Sequence, residues 1–296
     1  MFKVKNSIIR KLNWILLSII SINILFTTNN SYAFVPSLNE PSTEELKKTS
    51  LKIGKTAKQF IFFGRPQEGI SFAKLAISLN PKEVELWIIL IEGQMKSNLL
   101  SEALLSIQSA KKINPEVASL WFAEGSIALR QKKLEYANKS IKQGLLIDQN
   151  NAWAYFELGN TQIMQNKLRK ALKTFEKAAN IDPKFWQAIN NKAIVLYELD
   201  KRPKAIKTWR SVLEIEADAE PKLALASALN KKQPGNQEAI ELAIEALREN
   251  PDYVSQKHQE DQLWGKKLQK AAKELLKSPA LENARKSAFA KSTINN

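Results

Sequence analysis

The 296-residue sequence predicts an all-α fold: an array of about six paired helices closed by one further helix. Three observations carry this. Pro81, Pro115, Pro183 and Pro251 fall on one 34-residue grid, with Gln149 and Ala217 at the two intervening points. Ala103, Ala137, Ala171, Ala205 and Ala239 fall on a second grid of the same spacing. Trp87, Trp121 and Tyr155 fall on a third, which Ile189 and Leu223 continue. A fixed period of this length marks stacked units that bury their apolar faces against one another. Within a unit, apolar and small residues recur three or four apart, as in Trp121, Gly125 and Ala128, then Leu134, Ala137, Ile141 and Gly144. That is the spacing of amphipathic helices.

The elements follow in order. Lys3, Lys5, Arg10 and Lys11 precede an apolar run from Trp14 to Phe26, and Ser31-Tyr32-Ala33 supplies a small-x-small exit. This pattern predicts a signal peptide over residues 1–33. The runner-up is an uncleaved anchor, for which the apolar core is short of the roughly 20 residues a span needs. The expected location is therefore exported, in a periplasm or a thylakoid lumen, with membrane association if the segment is retained. Residues 34–49, with two prolines and several polar positions, are expected to be a flexible leader.

Repeats are then placed at 50–83, 84–117, 118–151, 152–185, 186–219 and 220–253. Polar breaks such as Gln131-Lys132-Lys133 and Gln165-Asn166-Lys167 separate the two helices of a unit. The Asn-Pro or Asp-Pro step ends the unit, because proline restricts the residue before it and cannot continue the helix. The sixth unit is expected to have a short first helix, Lys222 to Leu229, before a Pro234-Gly235 break. Residues 254–277 keep helical periodicity and read as a capping helix, which repeat arrays need over their last apolar face. Residues 278–296, rich in alanine, lysine and serine, read as a flexible tail.

Residues 152–185 carry Tyr155, Leu158-Gly159, Ala171, Phe175, Ala178 and Pro183. With these residues the segment resembles a tetratricopeptide repeat, and the resemblance extends over about 200 residues in units of 34. It departs at Gly69, which stands at the alanine position of the first unit, and at Arg202-Pro203 in the fifth. The resemblance implies a right-handed α-solenoid whose concave face is lined by the first helix of each unit. The outward positions of those helices give a candidate peptide-binding groove: Ile88, Phe122, Phe156 and Asn190, then Glu92, Ser126, Asn160 and Ile194, then Met95, Leu129, Ile163 and Tyr197. It reads as apolar with a polar stripe, and apolar surface not needed for a core marks a partner site. Some family members clamp a peptide carboxylate with lysines, asparagines and an arginine. Asn160 and Asn191 match the asparagines, but Phe156, Pro221 and Leu225 stand where cations are required, which argues against that specificity.

Composition excludes much chemistry. There is no cysteine and a single histidine, His258, so thiolate metal sites, cysteine nucleophiles and paired-imidazole sites are ruled out. Gly54-Lys55-Thr56 resembles the end of a phosphate loop, but Thr49 stands where that motif requires glycine. No nucleophile–base set emerges, so neither an enzyme nor a cofactor or metal site is expected. The formal charge is +15, and removal of residues 1–33 takes away four basic and no acidic residues, leaving +11. That balance favours acidic proteins or anionic surfaces. The expected function is a non-catalytic scaffold binding protein or peptide segments, in the assembly or stability of membrane complexes. Resemblance to repeat proteins of photosystem, envelope and pilus assembly implies that role. Two alternatives are a membrane-surface adaptor using the basic helix at 254–277 and, ranked lower, a nucleic-acid-binding solenoid. The lysines are too dispersed for the latter.

Overall fold

A computed structural model of the protein describes residues 40–292. The predicted signal peptide, the first part of the leader and residues 293–296 lie outside the described residues. Six helix pairs follow one another: α1 (Thr43–Phe62) with α2 (Pro66–Leu79), α3 (Val84–Lys96) with α4 (Leu100–Ile113), α5 (Ala118–Arg130) with α6 (Leu134–Ile147), α7 (Ala152–Met164) with α8 (Leu168–Ile181), α9 (Trp186–Glu198) with α10 (Arg202–Ile215), and α11 (Ala219–Lys232) with α12 (Gln237–Glu249). No strand occurs among the described residues.

The 34-residue grids are the interior of this stack. Ala103, Ala137, Ala171, Ala205 and Ala239 are all fully buried. Four residues on, Ile107, Ile141, Phe175, Trp209 and Ala243 are equally buried. Small and large residues thus alternate along the second helices, which lets each lie close to its neighbour while bulky side chains fill the gaps. The tryptophans at the head of the second and third units fasten the linkers: the indole N–H of Trp87 donates to the Pro81 carbonyl at 2.9 Å and that of Trp121 to Pro115 at 2.8 Å.

A further 34-residue series lies in the backbone. Gly64, Asn98, Lys132, Asn166 and Asp200 take φ between 56° and 74°. Each follows the first helix of its pair and closes it with a left-handed turn. The next residue's N–H reaches back across the turn, as from Leu99 to Gln94 O at 2.8 Å and from Lys133 to Ala128 O at 2.9 Å. Glycine, asparagine and aspartate suit this conformation. In the sixth pair the turn glycine is Gly235 (φ 77°). It lies one residue past the grid because α11 runs for 14 residues; this helix is full-length, not short as expected.

Both ends differ from the sequence expectation. Helix α1 starts at Thr43, inside the predicted leader, with Glu44 and Glu45 in its first turn where acids favour a helix N-terminus. Its Ser50, Gly54, Ala57 and Ile61 are buried. At the other end the expected single cap is divided. A 3₁₀ turn (Pro251–Val254) and a short α13 (Gln256–Asp261) precede α14 (Lys266–Leu276), with Leu263 at φ 62° between them. The predicted tail, as far as it is described, is ordered: a 3₁₀ turn (Pro279–Leu281) leads into α15 (Glu282–Ser292), which packs on α12 and on the 251–254 turn. Leu281 and Ala288 are buried there. Alanine-rich composition was misread as a frayed end; small side chains let α15 lie close to its neighbours.

Candidate functional site

The site is built by the first helices of the middle pairs. Ile88, Glu92 and Met95 on α3, Phe122, Ser126 and Leu129 on α5, and Phe156, Asn160 and Ile163 on α7 are all half-buried. Ile88, Glu92 and Met95 come together with Leu120, Ala123 and Arg130 around a cleft of about 360 Å³ between α3 and α5. Arg130 bridges the two helices by donating to the Met95 carbonyl at 3.2 Å. Glu92 is paired with Lys96 at 3.2 Å on the rim.

Phe122 and Phe156 are placed differently from a free groove lining. A Cβ added at Gly144 would lie 2.4 Å from the Phe122 ring, so that ring presses onto α6 inside its own repeat. Phe156 belongs to an aromatic cluster, with ring centroids 5.4 Å from Trp153, 5.1 Å from Phe185 and 6.1 Å from Phe175. Both rings therefore hold the stack together as well as bordering the groove.

The fourth row of predicted groove residues is closed over. Asn190, Ile194 and Tyr197 on α9 are buried, at 0%, 2% and 1% exposure. Asn190 and Tyr197 face the second helix of their own pair, where Trp209 donates to Asn190 at 3.0 Å and its ring lies 5.9 Å from that of Tyr197; the outer side of the pair is covered by α14, which lies across α9 and α11. Its Leu268, Ala271, Ala272 and Leu275 share one apolar cluster with Ile194, Tyr197 and Leu223. Glu198, at the end of α9, accepts the backbone N–H groups of Lys267 at 3.2 Å and Leu268 at 2.9 Å. A carboxylate at a helix N-terminus satisfies otherwise orphaned donors and opposes the helix dipole. Lys267 returns the contact, bonding the Glu198 carbonyl at 2.9 Å and the Asp200 carboxylate. The last two units of the groove thus already hold an amphipathic helix, and it is the chain's own.

Two polar contacts run between successive first helices: Ser126 on α5 donates to the Glu157 carboxylate on α7 at 2.7 Å, and Asn191 on α9 to Asn160 on α7 at 2.8 Å. Within the fifth pair the Trp209 indole on α10 donates to Asn190 at 3.0 Å, and the Trp264 indole, between α13 and α14, donates to Glu220 on α11 at 2.9 Å. Burial raises the Glu157 carboxyl above its ordinary range, against the opposing pull of the Ser126 hydrogen bond and Arg130. Burial likewise pushes Glu220 up to about 7, opposed by its bond from Trp264 and reinforced by Asp218. Glu220 lines a cavity of about 460 Å³ with Asp218, Tyr253, His258 and Asp261. The Asp218 side chain caps α11, accepting from the Glu220 N–H at 2.9 Å. No group of three or more His, Cys, Asp or Glu residues able to hold a metal ion occurs among the described residues.

Known proteins place this geometry. Residues 152–185 match the family model of the tetratricopeptide repeat. PilF of Pseudomonas aeruginosa superposes with a TM-score of 0.64 over 74% of this chain and 98% of its own, at 16% identity. The Cut9–Hcn1 hetero-tetramer of the APC/C superposes with a TM-score of 0.59 over 83% of this chain and 45% of the other, at 14% identity. The fold is a tetratricopeptide solenoid. YrrB, described as a TPR protein with an unusual peptide-binding site, has a TM-score of 0.52 over 64% of this chain and 97% of its own, at 16% identity. At such identities the likeness bears on the fold alone. Curated protein sequences contain no match to this chain. Within this solenoid, the stretch of groove left open runs over α3, α5 and α7.

Proposed function

We propose that this solenoid is a non-catalytic scaffold that holds a segment of a partner protein in the open part of its groove. One observation carries the reading: an apolar cleft of about 360 Å³ at Ile88, Met95 and Leu120 lies in the same groove whose far end is filled by the chain's own amphipathic helix α14. That helix lies on first helices in the manner of a helix in an apolar groove. The peptide-binding site ascribed to YrrB supports a peptide ligand on this fold. The charged and apolar N-terminal pattern supports an exported scaffold, and the membrane-complex role expected from the sequence remains part of the proposal.

The membrane-adaptor alternative loses its support. Insertion of the 254–277 segment into lipid needs its apolar face free, and Leu268, Ala271, Ala272, Leu275 and Leu276 are buried within the protein. Site-specific photo-crosslinking tests the main reading. A photoreactive residue at Met95 should crosslink a partner in cells, whereas one at Leu105, 65% exposed on α4, should not. Equal labelling from both positions, or none from Met95, refutes it.

A further inference from the structure

We infer that the segment held in the open groove is an acidic amphipathic helix, and that the lysines of α14 select it. The inference rests on the peptide-binding reading above and adds the chemistry of the partner. Helix α14 does more than cover the end of the array; its outer side forms one wall of the groove that remains. Between that wall and α7–α8 lies a cavity of about 970 Å³ with Ile163, Met164, Leu168 and Leu263 at its apolar surface.

Lys266, Lys267, Lys270 and Lys273 line the same cavity. Lys267 is engaged by Asp200 and Glu198. Among the described residues Lys266, Lys270 and Lys273 make no ion pair, and Lys270 acts on Glu274, itself bonded to Lys231, only at longer range. The three lysines stand four and three residues apart and so form one row along the helix. Two carboxylates share the lining. Glu198 is occupied by the α14 N-terminus, and Glu260 is an exposed residue of α13. Farther along the groove the apolar cleft is lined by the Glu92–Lys96 pair and by Arg130, a further cation.

An occupant must therefore present apolar side chains to Ile163, Met164 and Leu168 and face a row of unpaired ammonium groups on its flank. A helix with leucines on one side and glutamates beside them meets both demands, and a basic helix is repelled. The neighbouring stretch of groove shows that a helix is the shape accommodated, since α14 occupies it in that form.

The test uses the full chain and two fluorescein-labelled, 16-residue helical peptides. They share the same leucine pattern and carry either glutamate or lysine at the polar positions. Fluorescence anisotropy at about 50 and about 300 mM salt reads the affinities. The glutamate peptide should bind about tenfold more tightly at low salt, as expected from three partly exposed ion pairs, and the preference should shrink at high salt. In a Lys266→Glu, Lys270→Glu, Lys273→Glu variant the preference should reverse, with helical content unchanged by circular dichroism. A Lys→Arg triple variant should retain it. Equal binding of the two peptides, or a preference that ignores both salt and the charge reversal, overturns the inference and leaves the groove reading intact. Binding of neither peptide overturns both.

Discussion

Glu220 offers a quantitative test of how the C-terminal segment is seated. Its carboxyl accepts the Trp264 indole N–H at 2.9 Å and, through burial first of all, is pushed from 4.5 up to about 7. The folded chain then keeps its proton up to about pH 7, while the unfolded chain releases it near 4.5. Between those values the native state binds more protons, so stability must fall as pH rises. About 2.5 units at 1.36 kcal/mol each puts the loss at about 3 kcal/mol. Glu220→Gln keeps an acceptor for Trp264 and is neutral at every pH. Urea unfolding followed by tryptophan fluorescence should give similar stabilities for the two proteins near pH 4.5. The variant should gain progressively, up to about 3 kcal/mol by pH 8. The raised Glu157 contributes a slope of the same sign to both proteins and cancels in the difference. Parallel stability profiles from pH 4.5 to 8 would mean that the Glu220 carboxyl is solvated, and that Trp264 is held by apolar packing alone.

Further outcomes follow from the packing. Gly144→Ala places a methyl group against the Phe122 ring and should cost about 1–3 kcal/mol; Phe122→Leu should relieve part of that cost, seen as a non-additive double-mutant cycle. Phe122→Glu with Phe156→Glu should lower the thermal midpoint as well as weaken partner binding, because both rings pack inside the stack; unchanged melting would show them free in the groove. Lys267→Glu should loosen α14, read as faster amide exchange over residues 266–276. Lys270→Glu, at an exposed position without an ion pair, should leave that exchange within error of wild type.

The repeat was legible because its interior tolerates few residues. Alanine at 103, 137, 171, 205 and 239 sits where helices approach most closely, so identity and spacing both survive in the sequence. The left-handed turns were harder to see, since position 132 is lysine and the requirement there falls on backbone angle more than on side-chain type. Three rows of the candidate groove lie half-buried on successive first helices, but the Phe122 and Phe156 rings are turned onto the second helices of their own repeats, against Gly144 and Phe175. The fourth row was misplaced for a physical reason. Periodicity places Ile194 and Tyr197 on the face away from their own repeat, yet the Tyr197 ring lies 5.9 Å from Trp209 of its own pair, and periodicity does not show that a helix some 70 residues later covers α9. The Leu268–Leu276 pattern likewise indicates that one face of α14 is buried, without indicating against what. Such pairings depend on contacts between distant segments and leave no local trace.

The seating of α15 on α12 and the 251–254 turn bears on how copies of the chain can associate. A solenoid whose last unit is bare presents a sticky end to the first unit of another copy, a head-to-tail contact that propagates into fibres. Here that end is stoppered by Leu281, Ala288 and the buried Tyr253 and Val254. The face of α12 on which such a contact would form is thus occupied by the chain's own α15.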